Sequence, residues 1–451
     1  MARQRRSCLV APPKFCAIFA TFYELQGTRT LNSLYFPPLF LLQQGVSTDR
    51  FIPYEAENIM PQRRYLELVP IILTSVLALS ALYAHQPLLP DLQLEFGISR
   101  ETAAALTTVT FIPLALAPLV YGYLLETVSP IRILKLAVPL LALSALFFAV
   151  ATSYPQLLAI RLFQGLLIPA LLTSLMTWLS ARSSAENLQR TMALYIAATI
   201  FGGFAGRATS GLIANIFGWR FSFVALTISL FIAFALLTRL KPASGTRFVR
   251  PHPQTMLKVL RKPDFLPLYL GVFCLFLVFS AVMNFIPFRL TELSDKADSM
   301  RIGLMYSGYM MGIVTSLGAP WFIRHLGGEV RTIRVGLLLL AGILATLATP
   351  WVGVLFAAMF LLCGAMFLVH TTASGLANQM AGSQHRGLTN GLYVAFYYAG
   401  GSIGSFAPGI IYQHFGWNAF LLLLALICLI GYGCCRQISL PVVTTSRPGD
   451  Q

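Results

Sequence analysis

The segment from Tyr195 to Trp219 is repeated between Tyr393 and Trp417, and both copies lie in long apolar stretches. We call them the first copy and the second copy. Each residue of the shared pattern in the second copy lies 198 positions after its counterpart in the first. The pattern contains Gly202, Gly203, Gly206 and Gly211 in the first copy, and Gly400, Gly401, Gly404 and Gly409 in the second. Such a repeat indicates a chain built from two similar halves.

Twelve apolar stretches follow one another along most of the chain, six in each half. The sequence is 57% hydrophobic and only 11% charged, whereas a soluble domain carries roughly 25% charged residues. About 20 apolar residues cross a bilayer as a helix. We therefore predict an all-α membrane protein with twelve transmembrane helices in two pseudo-symmetric six-helix bundles. The stretches are 66–87, 103–125, 133–152, 156–180, 190–214, 220–240, 264–288, 302–323, 333–349, 351–378, 387–412 and 417–435.

The distribution of positive charge predicts the orientation. If the residues before the first stretch are cytoplasmic, the inner segments from residue 60 onward carry 19 Lys and Arg residues and the outer loops carry five. This bias follows the positive-inside rule. We expect a multi-pass protein of the cell inner membrane with both termini in the cytoplasm. The net charge of +16 then reflects membrane topology and not nucleic-acid binding.

Proline, glycine and charge mark the domain boundaries. Apolar runs within residues 1–59 are too short to span, and this part is predicted to be a disordered extension. Residues 60–240 form the first bundle, the basic stretch 241–262 a cytoplasmic linker, 263–437 the second bundle and 438–451 a cytoplasmic tail. Proline and glycine in the linker disfavour a continuous helix there. The seven cysteines show no metal-binding spacing and are assigned no role.

Three short motifs then suggest a family. The spacing from Gly202 through Arg207 to Gly211 resembles the antiporter motif of the fifth helix in the major facilitator superfamily, with Arg207 in place of the usual proline. The segment Gly122 to Glu126 is similar to the G-x-L-x-D signature of the same superfamily. Arg161-Leu162-Phe163-Gln164-Gly165 resembles its fourth-helix R-x-x-Q-G motif. The resemblance covers roughly residues 62–437, and Tyr83 to Pro90 is also similar to bacterial exporters of the drug–proton antiporter type.

The resemblance implies a gate and a packing seam. In the superfamily the acidic residue at the position of Glu126 stabilises the state that is closed to the cytoplasm, and Glu126 is expected near Arg182 and the start of the eleventh helix. A solvated loop carboxylate is the alternative. The glycines spaced by four residues place small side chains on one helical face, where another helix can approach closely. Gating or packing is therefore predicted for Gly122, Glu126, Gly202, Gly206, Gly211, Gly400, Gly404 and Gly409.

Two arginines fall inside predicted spans. Arg161 lies about 9 Å deep at 1.5 Å per residue, and Arg207 lies at a similar depth in the neighbouring antiparallel span. A charge within the membrane must face the bundle interior or a wet cavity. Each arginine is a candidate for substrate binding or coupling; bonds to backbone carbonyls or to Gln164, as a structural latch, are the alternative.

No carboxylate lies in the interior of a predicted span. A proton-coupled carrier commonly uses a buried group that titrates near neutral pH, and within the spans only His370 has this property. Proton coupling is therefore left open, and two buried cations suit an anionic or polar substrate. Further cavity candidates are Gln86, Asn284, Tyr397 and Tyr398, with ordinary packing as the alternative. Trp219, Trp351 and Trp417 are interpreted as interfacial anchors.

These observations predict a secondary transporter of a small molecule that functions as a monomer in the lipid bilayer. Efflux of a metabolite or drug-like compound by alternating access is the leading hypothesis. Uptake or facilitated diffusion of an organic anion is the first alternative, and a non-transporting receptor or scaffold is the second. An enzyme is not expected, because no nucleophile–base pair, metal cluster or phosphate-binding loop is present. No cofactor or metal ion and no nucleic-acid partner are predicted.

Overall fold

The computed structural model describes residues 62–183, 185–240 and 263–439, without the side chains at 62–66, 117–120, 122–127, 185–190 and 382–387. The described residues all belong to one compact unit. The predicted extension 1–59 and the linker 241–262 lie outside the described residues, as do all but the first two residues of the tail. The domain boundaries therefore stay predictions.

The described part of the chain consists of helices joined by short turns. Its helices are α1 (Gln62–Tyr83), α2 (Leu89–Phe96), α3 (Arg100–Thr127), α4 (Pro130–Val150), α5 (Tyr154–Arg182), α6 (Ala185–Phe217), α7 (Trp219–Leu237), α8 (Phe265–Leu293), α9 (Ser299–Met305), α10 (Met311–Leu326), α11 (Glu329–Thr346), α12 (Val352–Gly404) and α13 (Ala407–Arg436). Two 3₁₀ turns, Gln86–Leu88 and Tyr306–Met310, join α1 to α2 and α9 to α10. We call α1–α7 the N-terminal half and α8–α13 the C-terminal half.

The 53-residue helix α12 folds back on itself. The hydroxyl of Tyr393 donates a hydrogen bond of 3.0 Å to the carbonyl of His370, 23 residues earlier. A straight helix would separate these residues by about 35 Å. α12 therefore contributes two antiparallel arms. The first arm contains His370, and the second arm contains Tyr393 and so the start of the second copy.

The Phe-Gly-Trp ending of each copy is a tight change of direction. Gly218 has φ of 91° between α6 and α7, and Gly416 has φ of 82° within α13. Side chains other than glycine rarely adopt this backbone region. The following tryptophans, Trp219 and Trp417, are 6% and 4% exposed. The interfacial-anchor interpretation is wrong for these two, because each buried indole hydrogen-bonds within the protein, to Glu95 and to the Leu347 carbonyl respectively. Trp351 is 73% exposed.

Helices stand at all twelve predicted span positions. Within the described residues, nine segments are long and apolar enough to cross a membrane. One of them, Leu388–Arg436, bends at Gly416 and accounts for two predicted spans. The remaining two positions are occupied by α3, whose later side chains are not described, and by the 18-residue α11, which begins with charged residues.

The glycines of the two copies lie against the backbone of another helix in the same half. A Cβ atom at Gly202 would lie 2.4 Å from the Val76 carbonyl oxygen of α1, and one at Gly206 would lie 2.4 Å from the Cα of Ser80. In the second copy, Gly400 and Gly404 have the same relation to α8, with distances of 2.2 and 2.1 Å to carbonyl oxygens. The repeat thus builds one close helix pair in each half, α1 with α6 and α8 with the second arm of α12.

Candidate functional site

The two halves meet at one end of the bundle, where α1, α3 and α6 approach α8, α9 and the second arm of α12. Hydrogen bonds, ion pairs and ring contacts join the halves here, through residues within 83–111, 276–309 and 398–412 and through Arg207. We call this region the closed end.

A chain of buried polar side chains crosses the closed end. Arg207 Nε donates to Gln86 Oε1 at 2.7 Å, and Gln86 Nε2 donates to Asn284 Oδ1 at 3.0 Å. Thr107 donates to the same Asn284 oxygen at 2.8 Å. His85 Nε2 lies 2.7 Å from the Thr107 hydroxyl, which already donates elsewhere and so accepts from His85. These buried hydrogen bonds, which are shielded from water, join α3, α6 and the end of α1 to α8.

The central contact of this chain lies on the axis relating the two halves. Gln86 and Asn284 are 198 positions apart, the same offset that separates the two copies. Asn284 also donates to the carbonyl of Ser405 at 3.1 Å, and Ser405 is the counterpart of Arg207 at the same offset. Equivalent positions of the two halves therefore contact each other and have equivalent neighbours. Only the N-terminal half has a cation, Arg207, at the neighbouring position.

The Arg207 guanidinium is enclosed by three tyrosine rings. Its central carbon lies 4.0 Å from the ring centroid of Tyr83, 4.5 Å from Tyr309 and 4.8 Å from Tyr306. Nη1 donates to the Gly203 carbonyl at 2.6 Å. The residue is 1% exposed, and no carboxylate among the described residues forms an ion pair with it. Cation–π attraction, which strengthens when the cation is desolvated, replaces a counter-ion here.

Arg161 has a different environment, made almost entirely of backbone carbonyls. It donates to Ala81 O at 3.1 Å and Leu82 O at 2.7 Å, in the last turn of α1, and to Leu106 O of α3 at 3.4 Å. Its fourth partner is Gln164 Oε1, at 2.7 Å. The last carbonyls of a helix have no partner within the helix, so Arg161 caps α1 from α5. This geometry supports the latch alternative, since all partners belong to the N-terminal half.

Aromatic rings fill the space between the halves next to Arg207. Phe276 stacks on Tyr397 with centroids 3.6 Å apart, and Phe111 of α3 lies 5.6 Å from Phe276 and 5.4 Å from Tyr398. A Cβ atom at Gly401 would lie 2.3 Å from the Phe276 ring and 3.0 Å from Phe111. Glycine in the second copy therefore makes room for rings from both halves.

His370 lies at the edge of this aromatic group. Its Nδ1 is 2.9 Å from the Tyr393 hydroxyl, and its ring centroid is 4.8 Å from that of Tyr397. Of the candidates named from the sequence, Arg207, Gln86 and Asn284 thus form one connected group, Arg161 and Gln164 a second, and His370, Tyr397 and Tyr398 a third.

Charged residues join the two halves at the rim of the closed end. Glu292 of α8 forms an ion pair with Arg100 of α3 and accepts from Tyr412 at 2.7 Å. Ser299 donates to Asp91 at 2.6 Å, which adds another polar contact between the halves. At the opposite end, Arg182 pairs with Glu67 at 2.6 Å. The side chains at 122–127 are not described, so the predicted roles of Gly122 and Glu126 in gating stay predictions.

The sequence did not single out the residues that enclose Arg207. Tyr83, Tyr306 and Tyr309 were missed because aromatic residues are common in apolar spans. The 198-position offset of the repeat could have identified Tyr309. Tyr309 is the counterpart of Phe111, and Gly203 is the counterpart of Gly401. Each ring lies beside the glycine of the opposite half, because a Cβ atom would lie 3.0 Å from Tyr309 at Gly203 and 3.0 Å from Phe111 at Gly401.

Comparisons with known proteins agree with this architecture. The sequence model of the Major Facilitator Superfamily matches residues 71–373 and 328–448. The inner membrane transport protein YnfM of Escherichia coli K12 is 27% identical over 360 residues, covering 77% of this chain and 85% of YnfM. An uncharacterized MFS-type transporter of Bacillus subtilis, YybF, is 25% identical over 374 residues, covering 80% of this chain and 91% of YybF.

Solved structures show the same fold. A bacterial homolog of the human lysosomal transporter Spinster, in an inward-facing and occupied conformation, matches with a TM-score of 0.69 and 15% identity over 84% of this chain and 97% of its own. Its inward-facing and unoccupied structure matches with a TM-score of 0.63. With the paired glycine seams, the two contacting halves and the sequence match over most of the spans, these findings show that the chain belongs to the Major Facilitator Superfamily of membrane transporters.

Proposed function

We propose that this chain is an efflux carrier of the inner membrane that exports a small metabolite or drug-like compound by alternating access. Membership of the superfamily makes it a secondary transporter and not an enzyme. The observation that carries the proposal is the network of hydrogen bonds, ion pairs and ring contacts that joins the two halves at the closed end. A bundle closed by hydrogen bonds and ion pairs at one end can rock about that end and expose a central site to the other side.

The charge distribution suggests which side is closed. The basic residues concentrate on the loops at the end opposite the closed end, where the positive-inside rule places the cytoplasm, together with both termini. The closed end then faces outward, and the structure corresponds to an inward-facing state. The matched Spinster homolog structures are themselves inward-facing, which supports this assignment.

Export rests on the antiporter-like motif of the first copy and on a titratable group beside the central aromatic residues. His370 is that group, because its ring lies beside Tyr397 and its Nδ1 contacts the Tyr393 hydroxyl. We assign it to proton coupling.

Counterflow in proteoliposomes tests this proposal. A substrate is first found by thermal-shift screening of a metabolite library against the detergent-purified protein, and its exchange is then measured with and without a pH gradient. We expect an outward-directed export that a pH gradient stimulates, and we expect His370→Gln to lose that stimulation while exchange without a gradient remains. His325→Gln, which changes an exposed histidine at the end of α10, serves as the matched control and should behave as wild type.

A second candidate is a permease that moves its solute down a concentration gradient. It is favoured by the acidic residues: in the described part of the chain, carboxylates stand at helix ends and in loops, not within the membrane interior. Exchange indifferent to the pH gradient in both wild type and His370→Gln would support the permease. Absence of any substrate-dependent exchange would instead favour a receptor or scaffold.

A further inference from the structure

We propose that Arg207 binds an acidic group of the transported solute, and that this site is covered by two tyrosines of the opposite half in the state described here. The inference rests on the proposed function in one respect, namely that the closed end opens during transport. It adds a substrate class, small molecules bearing a carboxylate or a similar anionic group.

The enclosure of Arg207 is divided between the halves. Tyr83 and Gln86 belong to the N-terminal half and stay with Arg207 when the halves separate. Tyr306 and Tyr309 lie in the 3₁₀ turn between α9 and α10, in the C-terminal half. Their ring centroids, at 4.8 and 4.5 Å, cover the guanidinium. Opening of the closed end therefore removes two of the three rings and turns the cation toward the space between the halves.

The uncovered cation would have no protein counter-ion. In this state Arg207 has neutral partners only, the Gln86 amide and the Gly203 carbonyl, among the described residues. Two acidic residues of the closed end are held by other groups, since Asp91 accepts from Ser299 and Glu292 pairs with Arg100. A guanidinium that loses its aromatic cover within a membrane protein is stabilised most by an anion, which it can bind with two parallel hydrogen bonds.

The symmetry-related position in the fold shows how the same contact is made without a cation. At the 198-position offset, Arg207 corresponds to Ser405, Tyr83 to Ala281, Tyr306 to Thr108, and Tyr309 to Phe111. The two halves close this symmetry-related contact with small or apolar side chains, Ala281 and Ser405 from the C-terminal half and Thr108 and Phe111 from the N-terminal half. The fold therefore does not require a cation or three tyrosines there. Arg161 is also unlike Arg207, because its partners all belong to its own half and opening does not release them.

Distance measurements across the closed end test the proposal. Spin labels are placed at Leu94→Cys and Asp295→Cys, both exposed and one in each half, in a background free of native cysteines that keeps wild-type thermal stability. The probes are monocarboxylates from acetate to benzoate, with the neutral amides acetamide and benzamide as matched controls. We expect at least one carboxylate to raise the ratio of open to closed populations about tenfold, because a ligand shifts the equilibrium only through its preference for one state, and no amide to do so.

Variants of Arg207 identify the residue that responds. Arg207→Gln is expected to enlarge the open population without ligand and to abolish the response to carboxylates, whereas Arg207→Lys keeps the charge and should keep a weaker response. Arg301→Gln changes an exposed arginine of α9 and should respond as wild type.

Three results would overturn the assignment. Two distance populations that no carboxylate shifts would make Arg207 a latch without a ligand, leaving alternating access intact. A carboxylate response that survives Arg207→Gln would place the anion site elsewhere. A single distance in every condition, including with the substrate found by screening, would show that this end does not open; the proposed function and the inference resting on it would then both fail.

Discussion

Replacing Gly206 with valine is expected to prevent the protein from folding into a stable bundle. A Cβ atom at this position would lie 2.4 Å from Ser80 Cα and 2.7 Å from Ser80 O. Both are backbone atoms of α1, so no side-chain rotation relieves the overlap and the two helices must move apart. Overpacking in a well-packed core costs about 1–3 kcal/mol and more where backbone must shift. The loss is measured as the yield of monodisperse protein in detergent and as the midpoint of thermal unfolding.

The chain offers a matched control for this substitution. Gly342 lies within α11, and a Cβ atom there would meet nothing within 4 Å. Gly342→Val introduces the same β-branched residue into a helix, so its effect should be limited to the small helix-propensity term. Gly404→Val in the second copy, 2.1 Å from the Leu277 carbonyl, should be as damaging as Gly206→Val. A wild-type unfolding midpoint for Gly206→Val would contradict the close approach of α1 and α6.

Arg161→Met is expected to lower the free energy of unfolding by at least about 3 kcal/mol, because hydrogen bonds to a charged donor are worth roughly 1.5–3 kcal/mol each and the carbonyls left behind are buried. Methionine retains much of the side-chain volume but none of the donors. Arg161→Lys should recover only part of the loss, since one ammonium group cannot reach carbonyls of both α1 and α3 along with Gln164. Thermal and denaturant unfolding of the purified variants measure the effect.

Arg301→Met provides the comparison for Arg161. Its side chain is 58% exposed, lies 3.9 Å from Asp298 and donates one exposed hydrogen bond to the Lys296 carbonyl at 2.6 Å. The change should therefore stay within about 0.5 kcal/mol. A stable Arg161→Met protein that binds substrate but does not transport it would instead assign Arg161 to coupling, the role for which its position inside a predicted span made it a candidate.

The fold could be predicted from the sequence because its strongest determinants are local. Runs of about 20 apolar residues must form helices in lipid, where every backbone group has to be satisfied internally. The copied glycines marked the positions at which two helices come closest. The burial of Arg161 and Arg207 followed from the cost of a charge facing lipid.

The partners of these arginines could not be predicted in the same way. Arg161 caps α1 because α1 ends at Tyr83 and leaves its last carbonyls unpaired, and the sequence locates such an end only to within a few residues. Tyr306 and Tyr309 face Arg207 because a 3₁₀ turn interrupts the eighth span between α9 and α10. An aromatic residue in a span has no sequence mark that distinguishes an inward-facing position from a lipid-facing one.

The contact between Gln86 and Asn284 has a consequence for the origin of this chain. If two identical six-helix subunits once assembled around a two-fold axis, the residue at this place would have met its own copy. A side chain that faces itself needs both a donor and an acceptor, and the primary amide is one of the few groups that provides both. Gln86 and Asn284 still differ by a single methylene group. Their pairing has the chemistry that such a homodimeric ancestor would have needed at its axis.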